Sequence, residues 1–313
     1  MILVTGATGH IGNVLVQELA RREQPVRALV LPGEDITPIA NLPIEIVEGN
    51  VLHPESLERA MRGVQVVFHL AGQISILPGK DERVWAINVE GTKNMLDAAR
   101  KAGVRRFIYT SSIHALTRDR ANPAMDESVV FDPQAITNDY DRSKAEASLA
   151  VQQAIRQGLD AVILCPTGVI GPYDYRESDM GRLIRDWTRA RVNVLVNGAF
   201  DFVDVRDVAQ GLILASERGR CGESYILSGE KIHLVEILGI VQEIMHIESV
   251  VVLLPFRFAR VAAQVAQFVY RLVRSKPRFT LYSLETVMGW PEISRKKAER
   301  ELGYHPRRLR DSS

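Results

Sequence analysis

Ile2, Leu3 and Val4 form a short apolar run that breaks at Gly6, after which Val14, Leu15 and Leu19 recur at helical spacing. A run of this kind is the pattern of a strand buried on both faces. The alternation continues through the first half of the chain. Strands are predicted at 26–30, 44–47, 64–69, 106–110 and 161–164, and helices at 54–61, 88–102 and 140–157. The helix over 88–102 closes at Gly103 and the one over 140–157 at Gly158, where glycine suits the left-handed turn that ends a helix. Strands and helices in this order predict an α/β fold with a doubly wound parallel sheet. Beyond Pro166 the alternation fails. Residues 171–175 read as turn, 180–190 as helix, and 203–205 with 208–216 as a late strand and helix returning to the sheet. A strand over 224–228 and a helix over 233–246 follow. The expected organisation is a main unit over 1–166, with 201–217 returning to it, and a smaller substrate lobe from 167–200 and 218–313.

Composition narrows the function classes. Over 313 residues, 39 Lys+Arg balance 38 Asp+Glu to a formal net charge of +1, so no overall field argues for a nucleic-acid partner. Cys165 and Cys221 fit no metal-ligand spacing, and a reducing compartment follows from that usage. The first apolar run belongs to the core and is not a leader. No run of about 18 uncharged apolar residues spans a membrane. A cytoplasmic protein acting on a small molecule is the expectation. One stretch qualifies it: residues 256–274 are amphipathic, with Phe258, Val261, Val265, Phe268, Val269 and Leu272 on one face. That helix is expected to pack on the smaller lobe; covering an apolar substrate or resting on a membrane surface are the alternatives.

Two constellations carry chemistry. Gly6, Gly9 and Gly12 stand at three-residue spacing between the first strand and the first helix, aiming the helix's free N–H groups and positive end at one point. Gly6 suits the tight turn, Gly9 the close approach of a diphosphate, and Gly12 the packing of helix on sheet. The second is Tyr140-Asp-Arg-Ser-Lys144 on a helix, where i and i+4 share a face. The expectation is that the Lys144 ammonium sits beside the Tyr140 phenol and brings its pKa toward the working range. Ser112, just past a strand end, is suited to hydrogen-bond a reacting oxygen.

Thr5-Gly-Ala-Thr-Gly-His-Ile-Gly12, His69-Leu-Ala-Gly72, Asn88-Val-Glu-Gly-Thr92, Tyr109-Thr-Ser-Ser112, Tyr140 to Lys144 and Cys165-Pro166 resemble, in order and spacing, the extended short-chain dehydrogenase/reductase family. Residues 202–208 and 297–306 resemble its later blocks. The chain is most similar to the dihydroflavonol-reductase-like and 3β-hydroxysteroid-dehydrogenase-like branch, with sugar-nucleotide epimerases and dehydratases close by. The resemblance implies a Rossmann-type fold, a nicotinamide dinucleotide and a homodimer built on helices 88–102 and 140–157. It implies Tyr140 as acid/base, Lys144 as the group that lowers its pKa and holds the nicotinamide ribose, and Ser112, ahead of Ser111, as the residue orienting substrate. Gly6, Gly9, His10, Ile11 and Gly12 would surround the diphosphate. Asn50 and Val51 would flank the adenine, and Leu70, Ala71 and Gly72 would run along the cofactor. Pro166 and Val169 would lie near the nicotinamide amide. Asn88 is expected to tie strands together.

The chain departs from the family where the second strand ends. NAD-preferring members carry an acid there, and NADP-preferring members an arginine one residue later; here the positions read Val30 and Leu31. Without a carboxylate to repel a 2′-phosphate, the expectation tilts to NADP over NAD. Gln73 to Leu77 and the apolar stretches near the C-terminus suggest a partly apolar substrate, a ketone or the matching secondary alcohol. The alternatives are a nucleotide-sugar epimerase or dehydratase with tightly bound NAD, marked by Arg182, Arg185, Arg189 and Arg191, and a non-catalytic NAD(P)-sensing module. Trp187 and Trp290 are expected in the core.

Overall fold

The structure is a computed structural model that describes residues 1–75, 81–118, 124–136, 138–262, 264, 281–289 and 291–312. Its centre is a seven-stranded parallel sheet of β1 (Ile2–Thr5), β2 (Val26–Val30), β3 (Glu45–Glu48), β4 (Val66–His69), β5 (Arg106–Thr110), β7 (Ala161–Pro166) and β11 (Ser224–Leu227). Their order is β11-β7-β5-β4-β1-β2-β3. The apolar runs form these strands because successive side chains enter opposite layers. Leu3 and Val4, neither exposed, belong to separate cores. Leu3 shares its core with Met95, Ala99 and Val151 of α4 (Gly91–Lys101) and α5 (Asp139–Arg156); Val4 shares the other with Leu15 and Leu212 of α1 (His10–Arg21) and α7 (Val205–Arg218). Each such side chain contributes about 1.5–3 kcal/mol by leaving water.

Three smaller sheets lie outside this one. β10 (Ala199–Asp204) runs parallel to β8 (Gly168–Ile170) and antiparallel to β12 (Glu230–His233). β9 (Val192–Val196) pairs with β13 (Val250–Leu254), and Ala124–Met125 pairs with Glu292–Ile293. Two details correct the sequence reading. The strand expected at 203–205 is β10, which belongs to the small sheet, so of the segment 201–217 only the helix returns to the main sheet, packed beside α1. β11, grouped by sequence with the lobe, is the edge strand of the main sheet beside β7. The helix expected over 88–102 opens with a π-turn over Ala86–Glu90.

Trp187 is buried. Residues 256–262 are helical, and Phe258 and Val261 are exposed; residues 265–274 of the amphipathic stretch lie outside the described residues, as do Ile76, Leu77 and Trp290. Among the described residues no helix is long and apolar enough to cross a membrane.

Candidate active site

The strand order reverses between β1 and β4, which lead away to opposite sides of the sheet. Ligands of open α/β sheets lie at the carboxyl ends of the strands at such a switch point. Thr5, His69 and Tyr109 stand in register across β1, β4 and β5, so the loops after all three open on the same edge.

The glycine turn is built for close backbone packing. Gly6 has φ 67°, and a Cβ there would lie 2.8 Å from the Ala71 nitrogen and 2.9 Å from the Leu70 carbonyl. A Cβ on Gly12 would fall 2.0 Å from the Gly6 oxygen. Gly9 precedes α1 in extended conformation, without a side-chain cap and with no acidic residue in the helix's first turn. Its imagined Cβ meets one atom, the Gly6 oxygen at 3.2 Å. The first helical N–H groups and the dipole's positive end therefore face the space above Gly9, a chemistry that fits a diphosphate. His10 donates through Nε2 to the Pro172 carbonyl at 2.9 Å, and Asn13 donates to the Tyr173 carbonyl at 3.1 Å, which hold the 171–175 loop against this turn.

A continuous set of contacts leads from there to the Tyr–Lys pair. Gly72 follows Leu70 and Ala71, and its imagined Cβ stands 3.2 Å from Asn88 Oδ1 and 3.5 Å from Lys144 Nζ. Asn88 accepts the Gln73 N–H at 2.8 Å and donates to the Gln73 carbonyl at 3.0 Å and to Ser143 Oγ at 2.8 Å, tying this loop to α5. Lys144, 6 % exposed, donates to the Thr110 carbonyl at 2.8 Å and lies 5.1 Å from the Tyr109 ring centroid. Ser112 Oγ accepts the His114 N–H at 3.2 Å just past β5, and the serine works to lower the Tyr140 phenol's pKa. Asn138 caps α5 by accepting the Tyr140 N–H at 2.9 Å, which fixes the turn carrying Tyr140.

The electrostatics differ from the sequence expectation. Burial raises the Tyr140 phenol above its ordinary value, the Ser112 hydrogen bond works against that rise, and the Asp141 carboxylate adds to it. Lys144 is not among the groups that lower the phenol's pKa; its ammonium donates to the Thr110 carbonyl at the end of β5. Burial pushes the lysine itself down to about 8.

Other sequence-named residues have local partners. Asn50 Oδ1 accepts the Leu52 N–H at 2.9 Å, and Val51 is buried against Gly91. Ile11 is partly buried, Pro166 ends β7, and Val169 pairs with Val203 in β8. Ser111 bonds Ser148 at 2.7 Å behind the cleft. His114 lies beside Tyr282, 3.0 Å from Nδ1 to the phenol, and stacks on Phe200; Tyr282 donates to Asp141 at 2.7 Å. Arg182 and Arg185 are paired with Asp179 and Glu177. Sequence reasoning missed Glu34 and Arg176, which meet at Thr8 of the glycine turn.

The model of the NAD dependent epimerase/dehydratase family matches residues 2–228. The chain belongs to that family. It is an NAD(P)-dependent oxidoreductase of the extended short-chain dehydrogenase/reductase type. Over 308 residues it is 34% identical to the sterol demethylase protein B of Methylococcus capsulatus, covering 97% of this chain and 93% of that protein. It is 36% identical over 270 residues to a putative dihydroflavonol 4-reductase of Synechocystis, covering 84% and 78%. The crystal structure of gox2253 superimposes with a TM-score of 0.84 at 35% identity, covering 100% of this chain and 95% of that one.

Proposed function

We propose that this oxidoreductase interconverts a ketone and a secondary alcohol on a small-to-medium, partly apolar substrate, with Tyr140 as the proton-transferring group. The observation that carries the reading is the adjacency of Gly6 to Leu70–Ala71 and of Gly72 to the Lys144 ammonium, which turns the glycine turn and the Tyr–Lys pair toward one crevice. When bound, the nicotinamide dinucleotide supplies or accepts the hydride. Gly6, Gly9 and Gly12 would take its diphosphate, Leu70 to Gly72 would run beside it, and Lys144 would reach its ribose.

In the direction of reduction, the substrate carbonyl oxygen accepts hydrogen bonds from Ser112 and Tyr140. As a hydride reaches the carbonyl carbon, the Tyr140 proton passes to the oxygen and a phenolate remains. A phenol held above its ordinary pKa keeps that proton at neutral pH, so Tyr140 starts in the form a reductase needs. Ser112 holds the oxygen in line, and its interaction with Tyr140 favours the phenolate that forms. His114 and Tyr282, packed on the buried Phe200 beside α5, would offer a partly apolar face to a substrate. Exchange of Arg182 and Arg185 into local ion pairs speaks against the nucleotide-sugar alternative.

The pieces over 167–200 and 218–313 that lie outside the main sheet would form the substrate lobe, and the protein would act in the cytoplasm as a homodimer through α4 and α5. Thermal-shift titration with NAD and NADP, followed by a ketone and alcohol panel, tests the reading. Ligand-dependent stabilisation together with turnover lost in Tyr140→Phe supports it. Full turnover in that variant overturns it.

A further inference from the structure

β2 ends at Val30, and the turn that follows brings back a carboxylate that the strand end lacks. Glu34 Oε2 accepts the Leu31 N–H at 2.7 Å, and Oε1 accepts the Thr8 hydroxyl at 2.7 Å. Arg176, from the loop ahead of α6 (Asp179–Arg189), ion-pairs with Glu34 and donates to the Thr8 hydroxyl oxygen at 2.7 Å. Thr8 is 2 % exposed and the Glu34 side chain 14 %, so the carboxylate is seated against the glycine turn and not loose in solvent. A backbone N–H, a hydroxyl and a guanidinium converging on one point make an anion site. This one is filled by the chain's own anion. Asp35, next in sequence, is turned to Thr37, whose hydroxyl and N–H it accepts and which hold its carboxyl below the usual value, with the Arg176 charge a smaller contribution.

The position matters because β2 flanks β1 on the side away from Lys144. A dinucleotide with its nicotinamide at Tyr140 and its diphosphate over Gly9 reaches the end of β2 with its second ribose. We propose that Glu34, seated on Thr8 and Leu31 and braced by Arg176, makes this enzyme prefer NAD: its carboxylate accepts the adenosine ribose hydroxyls and repels a 2′-phosphate. The inference rests on the dinucleotide reading of the glycine turn and reverses the tilt to NADP drawn from Val30 and Leu31. A 2′-phosphate would have to displace Glu34 from its three donors or lie beside it as a like charge, and either cost falls on NADP alone.

The test is the dissociation constants of NAD and NADP, measured calorimetrically on the full chain and on Glu34→Gln and Arg176→Ala, with the melting temperature of each. Wild type should bind NAD about tenfold or more tighter than NADP, the equivalent of one like-charge contact. Glu34→Gln should tighten NADP about tenfold and leave NAD within a few fold. Arg176→Ala should move the ratio the other way, since it strips the countercharge from Glu34. Opposite movements in the two variants cannot come from a merely structural role, which would lower both affinities or only the melting temperature. A wild-type preference for NADP, or a ratio unmoved in Glu34→Gln while both dinucleotides bind, overturns the inference alone. Binding of neither dinucleotide to wild type overturns the cofactor reading and the inference with it.

Discussion

Replacing two glycines of the same turn by alanine separates folding from binding. At Gly12 the added methyl would stand 2.0 Å from the Gly6 oxygen, 2.8 Å from the Gly6 carbonyl carbon and 3.0 Å from the Ala7 Cα. These are backbone atoms and cannot swing aside as a flexible side chain would. α1 would have to withdraw from the turn by about 1 Å, taking with it Leu15, Val16 and Leu19, all buried against the main sheet. Overpacking alone costs about 1–3 kcal/mol, and the loosened helix adds to it, so Gly12→Ala should lose about 3 kcal/mol or more. At Gly9 the nearest atom is 3.2 Å away, and φ −71°, ψ 171° is open to alanine. The expected loss there is about 1 kcal/mol or less, the cost of an alanine before the helix. The methyl, however, enters the space above α1 where the diphosphate would sit. Wild type in dinucleotide at a hundred times its dissociation constant should gain about 2.7 kcal/mol; Gly9→Ala at the same concentration should gain almost nothing. Urea unfolding with and without dinucleotide reads both quantities. The reasoning is refuted by a Gly12→Ala protein as stable as wild type, or by a Gly9→Ala protein that keeps the full ligand-dependent gain.

Tyr140→Phe should lower kcat by about 10²–10⁴ while the dinucleotide dissociation constant stays within a few fold, measured by steady-state kinetics and calorimetry. Because the Lys144 pKa is pushed down to about 8, its ammonium is present below that pH and lost above it, so kcat/KM for reduction should fall as the pH rises through about 8. Lys144→Met should abolish that limb, and a flat wild-type profile between about pH 7 and 9 would contradict the assignment. Burial pushes His69 from 6.5 to about 3, so as the pH falls below about 6.5 the unfolded chain takes up the proton first. Stability should decline by up to about 5 kcal/mol between about pH 6.5 and 3, and His69→Gln should flatten that decline in urea titrations at stepped pH.

The main sheet was legible because a parallel strand buried on both faces needs an uninterrupted apolar run, which Ile2 to Val4 and Ala161 to Leu164 both show. β9 was not legible. Its sequence Val-Asn-Val-Leu-Val places Val192 and Val194 in solvent and buries Asn193, which donates to the Trp187 carbonyl at 3.2 Å and to Ser249 at 2.8 Å. Only tertiary pairing with β13 decides that orientation. The spacing of Tyr140 and Lys144 put both on one helix, but spacing says nothing of depth. Burial, which no pattern reports, moves both groups in directions the phenol–ammonium argument did not anticipate. Glu34 escaped for a geometric reason: the strand end itself carries no acid, and the carboxylate arrives through the turn at Pro32-Gly33.

Hydrogen-bond direction can be followed through the layer around His69 and α5, and it explains how the backbone around Tyr140 and Lys144 is held. Thr92 donates its hydroxyl to the Asn88 carbonyl at 2.6 Å, so its oxygen must accept from His69 Nε2 at 3.0 Å. His69 Nδ1 is then the acceptor for the Thr5 hydroxyl at 2.8 Å, and the Thr5 oxygen is left to accept the Ala71 N–H at 3.1 Å. One neutral imidazole tautomer thus joins β1, β4, α4 and the loop beside the glycine turn. Protonating His69 would put an Nδ1–H against the Thr5 hydroxyl that now donates to it, a cost separate from the burial and the Lys144 charge that hold its pKa down. On the α5 side, Ser148 donates to the Lys144 carbonyl at 2.8 Å and meets Ser111, while Ser143 bridges the Tyr140 carbonyl and Asn88. Satisfied buried networks of this kind fix side chains more firmly than apolar packing does. Burial disfavours the Lys144 ammonium, and its donation to the Thr110 carbonyl at 2.8 Å offsets part of that cost.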